Sequence, residues 1–144
     1  MGPIHVYLSF SGNCRQAMQF YQEVLGGELR LQTIGDSPVS DKMPSRMREL
    51  ILQATLTQGN MVLFGTDLVP ESGLVAGNTV SLILNCESED EIRGIFSRLA
   101  TDGTIEQPLT STLWGAWSGN VTDKFSRPWM LHFSTKHVKQ SNEL

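Results

Sequence analysis

One pattern of strand-like and helical segments occurs twice along this chain of 144 residues, and it limits the folds that the chain can adopt. In each half, a short alternating apolar segment precedes an amphipathic helical segment, and three further strand-like segments follow. The two helical segments lie about 75 residues apart, which indicates two copies of one βαβββ unit. Because helices do not alternate with every strand, the pattern predicts an α+β fold with mostly antiparallel pairing and disfavours a doubly wound parallel sheet.

The first half opens with Ile4 to Phe10, where apolar and mixed residues alternate as in a strand. Ser11-Gly12-Asn13 then provides turn and N-cap residues for a helix that is predicted to end at Gly26-Gly27. The proline-containing segment from Asp36 to Arg48 is predicted as an irregular loop, either a lid or interface element or a disordered segment. The other strands of this half are predicted over Glu28 to Ile34, Leu50 to Thr57 and Met61 to Phe64.

The second half follows a predicted linker over Gly65 to Asn78. A strand is predicted over Thr79 to Asn85. Ser88 and Glu91 have the spacing of a capping box, which begins a helix that is predicted to end near Asp102-Gly103. The remaining strands are predicted over Thr104 to Pro108, Gly115 to Thr122 and Pro128 to Phe133.

Length and composition favour one compact domain overall, with a first module over residues 1–70, a second over 71–134 and a polar tail over 135–144. The net charge of -4 and the scattering of 11 Lys and Arg residues exclude a basic surface for nucleic acid. No apolar stretch approaches the roughly 18 residues of a membrane span, and no export signal opens the chain. We therefore expect a cytoplasmic protein without a membrane or nucleic-acid partner.

The chain contains two cysteines, Cys14 and Cys86, which lie far apart and outside any C-x-x-C motif. Without a secretory context, this arrangement predicts free, buried thiols. Because Cys14 lies near the predicted start of a helix, an activated nucleophile is the alternative interpretation.

All three tryptophans, Trp114, Trp117 and Trp129, lie between Leu113 and Met130, on and beside the last predicted hairpin. Large aromatic side chains on paired strands either fill a core or an interface, or line a concave binding site. The sequence leaves both interpretations open.

Two sequence blocks resemble a known family. They are SGNCRQAMQFYQEVLGG, from Ser11 to Gly27, and WGAWSGNVTDKFSRPWM, from Trp114 to Met130. They resemble the PhnB-like branch of the vicinal oxygen chelate superfamily, which also contains glyoxalase I, bleomycin-binding proteins, fosfomycin resistance enzymes and extradiol dioxygenases. The resemblance extends from about His5 to Phe133. It implies two βαβββ modules whose curved, mixed sheets surround a cavity, usually within a homodimer.

The resemblance also implies where metal ligands would lie. Enzymes of the superfamily use a His on the first strand and a Glu on the last strand of each module. His5 falls on the first of these positions, but one ligand is too few for a divalent metal. No metal or other cofactor is therefore expected, and a metal held by His5 with ligands from a partner chain is the alternative. The other positions are occupied by about Leu63, by Met130, and by Asn78, Thr79 or Ser81.

Two further positions depart from the PhnB-like pattern. Gln53-Ala54 stands where a His-Ala pair is common, so an amide replaces an imidazole. Ser126 stands where a glycine is usual after D-K-F. If that position requires a positive φ, Ser126 costs roughly 1 kcal/mol of local strain.

The sequence thus predicts a homodimer that binds a small, partly apolar molecule without metal-dependent catalysis. The alternatives are a metal-dependent lyase, isomerase or oxygenase of the glyoxalase type, and a structural or regulatory dimer with a filled cavity. No G-x-G-x-x-G or phosphate-binding loop indicates a nucleotide cofactor, and no catalytic residue is identified. The candidates for contact with the ligand are His5, Tyr7, Gln53, Thr55, Phe64, Trp114, Trp117, Trp129, Met130 and His132.

Overall fold

A computed structural model describes residues 1–36 and 42–134. The chain divides into two compact units, of which the first is Met1–Val75 and the second begins at Ala76. The predicted polar tail over residues 135–144 lies outside the described residues, as do residues 37–41 of the predicted irregular loop.

The first unit contains one four-stranded mixed sheet. Its strand order is β1-β4-β3-β2, in which β1 and β4 are parallel and the other pairs are antiparallel. A short 3-10 helix, Ile34–Asp36, follows β2. The elements are β1 (Val6–Ser9), α1 (Cys14–Leu25), β2 (Glu28–Thr33), α2 (Ser45–Arg48), β3 (Ile51–Gln58) and β4 (Met61–Thr66).

The second unit repeats this arrangement with strand order β5-β8-β7-β6, and β5 and β8 are again the parallel pair. The repetition confirms the predicted α+β fold with two βαβββ modules. Pro108 lies within β6, where the missing N–H is tolerated because β6 is an edge strand. The elements are β5 (Leu82–Asn85), α3 (Glu89–Ala100), β6 (Thr104–Ser111), β7 (Ala116–Thr122) and β8 (Pro128–Ser134).

In each unit the long helix packs on one face of the sheet, which we call the helix-covered face, and the opposite face is called the open face. The helix contributes a stripe of apolar residues at helical spacing, and the strands contribute every second residue. The buried side chains include Ala17, Met18, Tyr21, Leu56 and Leu63 in the first unit and Ile92, Phe96, Leu99, Val121 and Leu131 in the second.

The linker predicted over Gly65 to Asn78 begins two residues too early. Gly65 and Thr66 belong to β4, and both are buried. A Cβ atom on Gly65 would lie 3.0 Å from the sulfur atoms of Cys14 and Met18, so glycine permits close packing of α1 here. The sequence predicts a linker from Gly65 onwards because sequence alone does not show which element approaches a glycine.

The segment from Asp36 to Arg48 also differs from the prediction of an irregular loop. Ser45–Arg48 forms a single helical turn that follows Pro44, a residue suited to the start of a helix. Four residues are too few to produce a periodic apolar pattern, so the turn left no signal in the sequence.

Candidate functional site

The open face of the first sheet carries a row of side chains that crosses all four strands. Tyr7 on β1 is in register with Phe64 on β4, Phe64 with Thr55 on β3, and Thr55 with Arg30 on β2. Tyr7 is 59% exposed, although aromatic side chains are usually buried. Two aromatic rings therefore lie beside a hydroxyl and a guanidinium on one face.

His5 and Gln53 extend this row. The His5 ring lies 5.6 Å from the Phe64 ring, measured between centroids, and His5 precedes β1 on the same side as Tyr7. Gln53 lies two residues before Thr55 on β3 and is exposed. The structure thus places five of the predicted ligand contacts on one open face: His5, Tyr7, Gln53, Thr55 and Phe64.

Met130 and His132 lie on the open face of the second sheet. Met130 is in register with Ile83 on β5 and with Asn120 on β7, and His132 lies two residues further along β8. Ile83 is 51% exposed and Met130 40% exposed. The centre of this open face is therefore apolar and accessible within the unit.

A pocket of about 280 Å³ adjoins Met130 on this face. Glu106 lies on this face because it alternates along β6 with Ile105, which pairs with Val121 of the helix-covered face. The Thr122 hydroxyl donates to Glu106 Oε1 at 3.2 Å. The side chains around the pocket include those of Asn78, Ser81, Glu106, Asn120, Thr122 and Met130.

Sequence reasoning missed Glu106 and Asn120 as site residues. The usable signal for Glu106 was the alternation of the predicted strand over Thr104 to Pro108, which places Glu106 on the face opposite Ile105. Sequence alone does not show which face of that strand is open, because this depends on pairing with β7.

The three tryptophans occupy three different environments. Trp129 is 3% exposed on the helix-covered face, although it also borders the pocket. The Arg93 guanidinium of α3 lies 4.5 Å from the centroid of the Trp117 ring, which places Trp117 beside the helix. Trp114 is 74% exposed between β6 and β7. Of the two interpretations left open, Trp129 fits the core one, Trp117 lies beside α3, and Trp114 lies outside the strands.

Asp123 organises the turn before β8. Its buried carboxylate accepts hydrogen bonds from the backbone N–H groups of Phe125 (2.8 Å) and Arg127 (3.1 Å) and from Trp129 Nε1 (2.8 Å). Ser126 has a φ of 66°, so the position that is usually glycine in the PhnB-like pattern does require a left-handed backbone.

Asp67 is the corresponding buried carboxylate of the first unit. Its Oδ1 accepts from the N–H groups of Gly12 (2.9 Å) and Cys14 (3.0 Å), and its Oδ2 accepts from the N–H of Ile51 (2.8 Å). The side chain of Asn13, which was predicted to cap α1, makes no capping hydrogen bond. The cap therefore comes from the end of β4 and joins α1, β3 and β4.

A cavity of about 670 Å³ adjoins Asp67 in the first unit, bordered by Arg15, Arg46 and Met47 among others. Cys14 is fully buried beside Asp67, and burial, reinforced by the Asp67 carboxylate, raises the pKa of the Cys14 thiol to about 12. An activated nucleophile at Cys14 is therefore contradicted, because the thiolate is the reactive form.

Cys86 behaves in the same way in the second unit. Burial, with a contribution from Glu91, raises the pKa of its thiol to about 11. Both cysteines are free and buried, as predicted.

The residues at the positions where the superfamily binds metal do not fit a divalent ion. Leu63 is 3% exposed and points to the helix-covered face. Phe64, the next residue on β4, points to the open face, as Met130 does on β8 of the second unit. The assignment to Leu63 was wrong by one residue, which in a strand reverses the face. Over residues 1–36 and 42–134, no three His, Cys, Asp or Glu side chains are grouped as metal ligands.

Comparison with known proteins decides the family. The model of the Glyoxalase/Bleomycin resistance protein/Dioxygenase superfamily matches residues 4–131. The chain belongs to this superfamily. It is 32% identical over 140 residues to protein YjdN of Escherichia coli K12, a match that covers 90% of this chain and 94% of YjdN.

Solved structures agree with this assignment. Protein PA1353 of Pseudomonas aeruginosa is 34% identical, with a TM-score of 0.81 over 93% of this chain and 98% of PA1353. A PhnB protein of Bacillus cereus is 25% identical, with a TM-score of 0.68, and the match covers 92% of this chain and 100% of the PhnB chain. These similarities confirm the resemblance to PhnB-like proteins. None of the helices in the described ranges has the length and apolar character needed to cross a membrane.

Proposed function

We propose that this superfamily member binds a small, partly apolar molecule on the open faces of its sheets, without a metal ion. The main support for this proposal is the pocket beside Met130. It combines an accessible thioether with the polar side chains of Ser81, Asn120 and Glu106, which is the mixture that ligand pockets use for burial and orientation.

The first unit supports the same proposal. On a sheet with one solvated face, that face is normally polar, yet here it carries the rings of Tyr7 and Phe64 beside Thr55 and Gln53. Exposed apolar groups rimmed by polar residues mark binding surfaces. Of the four positions that the resemblance assigns to metal ligands, His5 alone carries a usual ligand, and the others carry Phe64, Met130 and one of Asn78, Thr79 or Ser81, which favours binding without metal-dependent chemistry.

Ligand screening by calorimetry tests this proposal with a matched pair of variants. Met130→Asn places a neutral amide on the open face, and we expect it to weaken a bound ligand at least about tenfold, because a desolvated amide opposes apolar contact. Ile105→Asn is the control, since Ile105 is 52% exposed but pairs with Val121, a residue of the helix-covered face. Equal affinities of the two variants for the ligand would rule out the open face as the binding site.

We further propose that the protein is a cytoplasmic homodimer. Val75, Leu113 and Trp114 are strongly exposed, and apolar surface of this kind is usually covered by a partner. The two free thiols fit a reducing compartment. Light scattering coupled to size-exclusion chromatography tests the dimer: we expect twice the chain mass for the native protein, and a mass near 16.0 kDa at micromolar concentration would contradict it.

A further inference from the structure

The pocket beside Met130 has an asymmetric charge. Its border carries one carboxylate, that of Glu106, and within the described chain it carries no Lys, Arg or His. The other polar groups are the amides of Asn78 and Asn120 and the hydroxyls of Ser81 and Thr122. The pocket therefore presents an anionic group among neutral ones.

Within residues 1–36 and 42–134, no ion pair joins Glu106 to a basic side chain. The Thr122 hydroxyl donates to Oε1, but a hydroxyl contributes no charge. Glu106 Oε2 consequently keeps its capacity to accept a hydrogen bond from a ligand.

The backbone places this carboxylate on the open face. Ile105 pairs with Val121 of the helix-covered face, so alternation along β6 puts Glu106 on the open face. Without the register shift between Ile105 and Gln107, Gln107 would lie on the same face as Ile105. Instead Gln107 pairs with Asn120, and Asn120 Nδ2 donates to Gln107 Oε1 at 3.4 Å. Glu106 and Gln107 thus both contribute acceptors near the pocket.

From these observations we infer that the ligand of the second unit carries a cationic nitrogen, such as a primary ammonium group, joined to a compact apolar body. The ammonium group donates to Glu106 and the apolar body contacts Met130. An anionic ligand is repelled by the same carboxylate. This inference rests on the proposed binding function and specifies the chemical class of the ligand.

Methyl NMR of the full chain tests the inference directly. The chain has six methionines, so a spectrum of ¹³C-methyl methionine is simple, and a Met130→Leu sample assigns the Met130 signal. The probes are benzylamine, benzyl alcohol and benzoate, which share a ring and differ in charge. We expect benzylamine to shift the Met130 methyl signal with an affinity about fivefold above that of benzyl alcohol, the effect of one solvent-screened charge pair, and benzoate to leave it unshifted.

Two variants distinguish the effect of the Glu106 charge from the effect of the net charge of the protein. In Glu106→Gln we expect benzylamine and benzyl alcohol to bind equally, with both still shifting the Met130 methyl. Asp90→Asn, an exposed residue in the first turn of α3, removes the same charge away from the pocket and should keep the preference.

Three outcomes would overturn the inference. Equal affinities for amine and alcohol in the native protein would remove the charge preference and leave the binding function standing. A Met130 shift caused by micromolar Zn²⁺, and lost in Glu106→Gln, would assign the carboxylate to a metal. If neither amine nor alcohol shifts the Met130 methyl at millimolar concentration, the pocket does not bind the inferred class of ligand, and the inference fails while the proposed function is tested by other ligands.

Discussion

The two units share a topology, but their buried aspartates connect very different parts of the chain. Asp67 accepts hydrogen bonds from Gly12, Cys14 and Ile51, at sequence separations of 55, 53 and 16 residues. Asp123 accepts from residues 2, 4 and 6 positions away. Each carboxylate accepts from at least three N–H groups, and these hydrogen bonds form a long-range connection at Asp67 and a turn at Asp123. The first holds elements together, whereas the second shapes one hairpin.

The largest expected effect is that of Asp67→Ala. The substitution leaves three N–H groups without their acceptor at the junction of α1, β3 and β4, and two of these hydrogen bonds are buried. We expect a loss of about 3–5 kcal/mol in the free energy of unfolding, measured by urea denaturation. Ser88→Ala, which removes the local cap of α3, is the control and should cost about 1 kcal/mol. Similar losses for the two variants would contradict the importance of the long-range connection.

The contrast between these caps explains what the sequence could predict. Ser88 accepts a hydrogen bond from the N–H of Glu91, three residues away, so the spacing alone predicted the start of α3. The cap of α1 comes from Asp67, whose position beside Gly12 exists only after the sheet has formed. The repeat, the strands and most of one open face were predictable from periodicity. The bulge at Glu106 and the face of Leu63 depend on strand pairing, and single-sequence patterns do not contain that information.

Asp123→Ala should have the second largest effect, about 2–3 kcal/mol, because the carboxylate also accepts from the buried Trp129 indole. The effect should be confined to the hairpin of β7 and β8. Hydrogen exchange measured by NMR would show faster exchange of the Phe125 and Arg127 amides, with amides of β3 and β4 unchanged. Comparable acceleration in both units would contradict a local role.

The two thiols give a pH dependence that differs between the units. Because the pKa of Cys14 rises from its ordinary value of 9.0 to about 12 in the folded state, the unfolded chain loses this proton first as pH rises. The contribution of the protonated Cys14 thiol to the free energy of unfolding is therefore fully present below pH 9 and is lost as the pH rises from 9 towards 12.

For Cys86 the same loss extends only towards pH 11. Between pH 8 and pH 10 we expect each thiol to account for about 1 kcal/mol of lost stability. In Cys14→Ala, the free energy of unfolding measured by urea denaturation should fall less steeply with pH, because the contribution of the Cys14 thiol is absent. An unchanged slope in that variant would show that the Cys14 thiol does not contribute.

The smallest effect concerns the two hairpin turns. The left-handed residue is Gly59 (φ 57°) between β3 and β4 but Ser126 (φ 66°) between β7 and β8. Ser126→Gly should stabilise the protein by up to about 1 kcal/mol, and the reverse change, Gly59→Ser, should destabilise it by a similar amount. Thermal unfolding measures both. A loss of stability in Ser126→Gly would mean that the serine side chain contributes more than the strain costs.

We propose above all that the open face of the second unit binds a small molecule without a metal ion. The ¹³C-methyl spectrum of the native protein in EDTA, recorded during titration with a library of small metabolites, tests this proposal. We expect at least one member to shift the Met130 signal selectively and saturably while metal is absent. Shifts at Met130 that appear only after a divalent metal is added, or no shift with any member, would contradict it.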